Sequence, residues 1–80
     1  MILVQPQLLG PGEVMRKHLA HHNLSQRELG EQIGVDHSMI SKIVRGVRYP
    51  SMENFAELNH IFGPIFVLEY LEAINRSNHS

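Results

Sequence analysis

Gly34 separates two short segments whose apolar residues recur at helical spacing, and this corner constrains the fold more than any other feature of the chain. Before it, Leu29 and Ile33 lie four residues apart, as one face of a helix requires. Gly30 lies between them, where glycine costs about 1 kcal/mol relative to alanine, so we expect another segment to approach it closely. Glycine takes a left-handed turn at no steric cost. After the corner, apolar residues recur at i, i+3 and i+4, as Ile40, Ile43 and Val44.

The ends of these two helices are marked by capping residues. Ser25 and Glu28 have the spacing of a capping box, so we expect the first helix, helix 2 of the chain, at about 25–33. Asp36 is a suitable N-cap for the next helix, at about 36–45. Two short helices around a glycine-centred turn predict a helix-turn-helix motif.

The exposed face predicted for the second helix carries small polar and basic side chains. In a helix-turn-helix motif this helix enters the major groove of DNA, and residues near its N-terminus reach base edges. Lysine donates to guanine O6 and N7, while serine pairs with several bases. We therefore expect base contacts from one continuous face, made of His37, Ser38, Ser41 and Lys42. We expect phosphate contacts from its polar and basic neighbours, Gln26, Arg27, Arg45 and Arg48. The alternative is that these polar and basic residues form an ordinary solvated helix face with no partner.

The charge distribution favours an anionic partner on this side, although the 80-residue chain has a net charge of −1. Residues 14–48 carry six Lys or Arg against three acidic residues, whereas residues 49–80 carry one against four. This asymmetry predicts one basic and one acidic face on a single domain.

The remaining segments complete an all-α chain of five helices. The first ten residues are expected to form an extended arm, because Pro6 interrupts them and a Gly-Pro-Gly sequence ends them. The other helices are expected at about 11–22, from the cap Ser51 to the break at Gly63, and at about 65–75. The predicted segment boundaries are therefore 1–10 for the arm, 11–76 for the helix-turn-helix domain and 77–80 for a tail.

The last of these helices is more apolar than the surface of a small domain requires. Two interpretations are open: all of it packs inward, or part of it contacts another chain. We expect an intermolecular contact, in the first place a homodimer, because large exposed apolar patches mark interaction sites. Glu69 and Glu72 are interpreted as the solvated side of the helix. The predicted dimer or partner surface is Ile65, Phe66, Tyr70 and Ile74.

Residues 24–63, LSQRELGEQIGVDHSMISKIVRGVRYPSMENFAELNHIFG, resemble the XRE family, the helix-turn-helix domains of lambdoid Cro and repressor proteins. With the preceding helix, the resemblance covers about residues 11–63. It implies a compact five-helix, lambda-repressor-like domain that binds double-stranded operator DNA, usually as a dimer on a two-fold site. By position, Gln26 corresponds to a glutamine that contacts the DNA backbone in the family. The four residues expected to contact bases correspond to recognition-helix positions that face bases.

The chain departs from the family pattern at Leu19, Val44 and Asn59. Many members pair an arginine late in helix 1 with a glutamate late in helix 3, and both charges are absent here together. Loss of one partner would strand a buried charge, whereas an apolar pair is tolerated. We therefore predict that Leu19 contacts Val44 and that DNA binding survives the change. Asn59 stands where a small apolar residue is common, and it is either a satisfied buried amide or turned outward.

Other chemistry has little support in the sequence. His18, His21 and His22 are close together on one predicted helix, but a zinc site needs further ligands and the chain has no cysteine. Phosphate-loop, serine-hydrolase and zinc-protease motifs are absent, so we expect no enzyme activity and no metal or other cofactor. No apolar run is long enough for a membrane span. We expect a cytoplasmic protein, with which the lack of cysteine is compatible.

The leading hypothesis is a sequence-specific DNA-binding transcriptional regulator, a dimeric repressor that reads a two-fold operator through the major groove. A role as activator stays open. One alternative is an antitoxin that binds a toxin and regulates its own promoter, because PGEVMRKHL (11–19) resembles the opening of HigA-type antitoxins. That group usually has a tryptophan after helix 4, and this chain has none. A module that binds only proteins is a further alternative, and substitution of Ser41 and Lys42 would then change nothing.

Overall fold

The computed structural model describes residues 9–78, and five helices form the architecture of this range. They are α1 Pro11–His21, α2 Gln26–Ile33, α3 His37–Val44, α4 Met52–Phe62 and α5 Pro64–Ser77, with no strand between them in the described residues. The all-α, five-helix fold expected from the sequence is confirmed. Of the predicted arm, residues 1–8 lie outside the described residues, as do residues 79–80 of the predicted tail.

The corner between α2 and α3 is built from a capping box and a glycine. At the start of α2 the Glu28 backbone N–H donates to Ser25 Oγ at 3.0 Å, and the Ser25 N–H donates to Glu28 Oε1 at 2.9 Å. α2 ends at Gly34, whose φ of 72° lies in the left-handed region. The Val35 N–H then donates to the Gly30 carbonyl at 2.9 Å, which turns the chain toward α3.

Two glycines allow other backbone segments to approach helices closely. A Cβ on Gly30 would lie 2.7 Å from the Val35 carbonyl oxygen, inside the α2–α3 turn. A Cβ on Gly12 would overlap the Val44 carbonyl and lie 3.1 Å from the Gly46 nitrogen. The first residues of α1 therefore lie directly against the end of α3.

The apolar core holds α3 by its inner face. Leu29 and Ile33 of α2 belong to this core, together with three residues of α3, Ile40, Ile43 and Val44. Leu19 and Val44, which stand where the family has its charged pair, are 5% and 4% exposed and lie in the same cluster. Because α1 and α2 both contact α3, the position of α3 is set from two sides.

α5 begins at Pro64, and much of its apolar surface is turned inward. The predicted dimer or partner surface is wrong for Phe66 and Tyr70, because both side chains are fully buried in the monomer. The Phe66 ring centroid lies 5.1 Å from that of Phe62 and 5.4 Å from that of Tyr70, so these rings join α4 to α5. Ile74 is half-buried against the core, whereas Ile65 is 68% exposed.

α1 and α5 are also joined by polar contacts at Glu69, a half-buried residue that was interpreted as solvated and that also pairs with α1. Lys17 Nζ lies 2.6 Å from Glu69 Oε2, and His18 Nε2 lies 2.5 Å from Glu69 Oε1. The hydrogen bond from Lys17, and then that with His18, hold the pKa of the Glu69 carboxyl below its usual range. His18 is buried, with its ring edge-on to Phe66 at a centroid distance of 5.1 Å.

Candidate nucleic-acid interface

The outer face of α3 presents the side chains expected to contact bases. His37, Ser38 and Lys42 are exposed, and Ser41 is half-buried. The inner face is the buried apolar stripe, so the two faces of the helix have opposite chemistry. An α-helix with its side chains is about 10–12 Å across, which fits the roughly 12 Å width of the DNA major groove.

Ser38 is held at the start of α3, because its hydroxyl donates to Asp36 Oδ2 at 3.0 Å. Asp36 is the N-cap by position, but its side chain accepts no hydrogen bond from a backbone N–H of the first turn of α3. Its exposed carboxylate therefore stands at the edge of the polar face. A carboxylate repels phosphate, but it accepts a hydrogen bond from cytosine N4 in the major groove. Asp36 is therefore a further candidate for base contact. The signal for it in the sequence was the position of Asp36 two residues before the serine Ser38.

The start of α2 offers backbone N–H groups beside the residues expected to contact phosphate. The capping box satisfies the N–H groups of Ser25 and Glu28. Those of Gln26 and Arg27 occupy the first turn, where no acceptor exists within the helix, and such groups bind phosphate. The Gln26 side chain is half-buried and that of Arg27 is exposed. The hydrogen bond from the Ser25 backbone lowers the pKa of the Glu28 carboxyl, so the capping bond favours its ionised form.

The cations on α3 and in the loop after it face solvent. Lys42, Arg45 and Arg48 are all exposed. Arg45 Nε donates to the Ser41 carbonyl at 3.3 Å, which holds the guanidinium along the last turn of α3. Within residues 9–78 the ion pairs end on Glu69, so no carboxylate contact neutralises these three cations. Their charge is available to an anionic partner.

Two exposed apolar side chains lie among the arginines of the loop that follows α3. Val47 is 69% exposed and Tyr49 is 48% exposed. Gly46, with a φ of 77°, turns the chain out of the helix just before them. Sequence reasoning assigned them no role, although the alternation of arginine with apolar residues before Pro50 was a visible signal. Apolar side chains beside DNA contact thymine methyl groups, so both residues extend the candidate interface.

The histidines of α1 make aromatic contacts. The ring centroids of His21 and His22 lie 5.4 Å apart, and His22 lies 5.1 Å from Phe62. No group of three His, Cys, Asp or Glu side chains within residues 9–78 is arranged to hold a metal ion. Across the same residues, none of the helices combines the length and the apolar character needed to cross a bilayer.

Comparison with protein-family models matches residues 15–65 to a family described as helix-turn-helix. The matched range contains all of α2, α3 and α4 and most of α1. It includes every residue expected to contact bases or phosphates. Comparisons with curated proteins and with solved structures find no match.

Proposed function

The chain belongs to the XRE family of helix-turn-helix DNA-binding transcription regulators, and from this premise we propose that it is a dimeric repressor that binds a two-fold operator. The observation that carries the proposal is the free face of α3, which is polar and basic outward while its apolar side is buried against α1 and α2. A dimer bound in this way excludes other proteins from the same stretch of DNA. We place this activity in the cytoplasm.

Base edges and phosphates are assigned to different residues in this proposal. The base contacts are His37, Ser38, Ser41 and Lys42, with Asp36 added at the start of α3. The phosphate contacts are Gln26, Arg27, Arg45 and Arg48. Lys42 is proposed to donate to guanine, because it is exposed on the outer face of α3 and is the one lysine there. Since each neutralised phosphate releases counterions, affinity should fall steeply as salt rises.

A two-fold operator requires two copies of α3 on one side of the duplex, about one helical turn or ~34 Å apart. Of the predicted dimer surface, Ile65 is the residue that stays largely exposed. We propose that it contributes to the contact between copies, since Phe66 and Tyr70 are committed to the core.

The experiment that tests the proposal is selection of bound duplexes from a random library at moderate salt. The parent is compared with Ser41→Ala/Lys42→Ala, and Met52→Ala serves as a control outside the interface. We expect a palindrome that the parent and the control recover and the double variant loses. Equal recovery by all three proteins would refute the proposed reading face. An antitoxin would give the same palindrome, whereas a module that binds only proteins would give none.

A further inference from the structure

An open apolar groove of about 600 Å³ lies between α4 and α5. It is lined mainly by apolar side chains, Met52, Phe55, Ala56, Pro64, Val67, Leu68 and Leu71, together with Asn59. Met52 is 87% exposed and Leu68 is 63% exposed, so the core leaves these two side chains uncovered, whereas Phe55 and Val67 pack partly against it. Asn59 is exposed here, which answers whether its amide is buried or turned outward.

The rim of this groove is acidic on both sides. Glu53 and Glu57 lie one turn apart on α4 and share a surface depression with His60 and with Ala56, which also lines the groove. Glu72 is exposed on α5, one turn beyond Leu68. Residues 52–75 contain four glutamates and no lysine or arginine, and one of the four, Glu69, is engaged by α1. An occupant therefore meets an apolar floor between carboxylates.

Two occupants from this chain itself fit that rim poorly. A second copy related by a two-fold axis would bring a second set of the same carboxylates, and like charges that face each other disfavour a contact. Residues 1–8 include no lysine or arginine, so they supply apolar side chains but no cationic side chain to pair with the rim. An occupant that complements the acidic rim has Lys or Arg side chains beside an apolar face.

We propose that the α4/α5 groove binds an amphipathic helix of a partner protein, with an apolar face flanked by Lys or Arg. A helix laid in a groove anchors apolar side chains at i, i+3, i+4 and i+7, and the flanking cations pair with the glutamates of the rim. The groove contains no residue of α2 or α3, so the partner leaves the residues that face DNA uncovered. The same molecule therefore holds DNA and a basic partner helix at different surfaces.

The test uses two fluorescent helical peptides with the same leucine face, one flanked by lysines and the other by glutamates. Binding to the full chain is measured by anisotropy. We expect the lysine peptide to bind at least about tenfold more tightly. Leu68→Ser should weaken it about tenfold or more, whereas Val47→Ser, equally exposed but outside the groove, should not. Glu53→Lys/Glu57→Lys should abolish the preference for the lysine peptide, and Glu31→Lys on α2 should keep it.

Several outcomes would overturn the proposal. One is equal binding of the two peptides, and another is unchanged binding by Leu68→Ser. A concentration-dependent dimer that Leu68→Ser abolishes would assign the groove to a second copy. Binding that appears only after removal of residues 2–8 would assign it to the chain's own N-terminal segment. The Leu68→Ser variant is also put through the selection of bound duplexes. Its result there distinguishes failure of the groove proposal from failure of the DNA-binding proposal.

Discussion

Replacement of Gly30 by alanine sets two physical effects against each other, and the structure decides which one prevails. Alanine is better than glycine in a helix interior by about 1 kcal/mol. The new Cβ, however, would lie 2.7 Å from the Val35 carbonyl oxygen, well short of the 3.4 Å at which ordinary contact begins. Overpacking typically costs about 1–3 kcal/mol, and the upper half applies here because the atom approached is backbone in a tight turn.

We therefore expect Gly30→Ala to lower the free energy of unfolding by about 1–2 kcal/mol, which corresponds to a loss of roughly 4–16 °C in Tm for a domain of this size. Urea unfolding at 25 °C measures the change, provided that the m-value is unaltered.

Gly34→Ala is the matched control, because a Cβ there meets nothing within 4 Å and only the left-handed backbone, with its φ of 72°, opposes it. Its cost should be about 1–2 kcal/mol and independent of packing. A Gly30→Ala variant that is more stable than the parent would refute the close approach of the turn to α2.

The remaining predictions concern the helix proposed to contact DNA and two titrating groups. Lys42→Ala should weaken operator binding by about 1–3 kcal/mol and relax specificity at one base pair. Arg45→Ala should instead weaken binding to all DNA sequences alike. Binding titrations on matched and mismatched duplexes would distinguish the two effects. Hydrogen bonds from α1 lower the folded-state pKa of Glu69, so the stability that its carboxylate adds is present above about pH 4.5 and is lost as the pH falls through the lowered pKa. The difference in unfolding free energy between the parent and Glu69→Gln should therefore shrink at low pH. A difference that does not change with pH would contradict the prediction. Burial raises the pKa of Tyr70 to about 12, so absorbance titration should show a late phase that is missing in Tyr70→Phe. That variant should fold at least as well as the parent, because the buried Tyr70 hydroxyl has no partner among the described residues.

The helix-turn-helix corner was predictable because its signals are local. A capping box acts over three residues and a left-handed glycine acts at one, so their geometry follows from neighbouring residues in the chain. The contacts at Ser25, Glu28 and Gly34 follow this pattern. The alternation of apolar and polar positions on α3 is equally local, and it separates the buried face from the exposed one.

The role of α5 was predicted less well, because its apolar residues cover more than one side of the helix. Periodicity shows that such a helix has much to bury but does not show which neighbour buries each side. Phe66 and Tyr70 pack into the core, whereas Leu68 and Leu71 stay exposed along the groove with α4. Glu69 and its partner Lys17 on α1 are 52 positions apart in the chain, and no local sequence pattern predicts a contact between residues so far apart.

The sequence by itself determined the helical class, the sharp turn and the polar face of α3, because caps, glycines and helical periodicity act within a few residues. Only the tertiary structure decided which apolar residues of α5 form the core and which line the α4/α5 groove. It also decided that Glu69 binds α1 and that Asp36 holds Ser38 rather than capping the helix. These outcomes depend on how helices distant in the chain share a limited core, and on how side chains choose among several polar partners within reach.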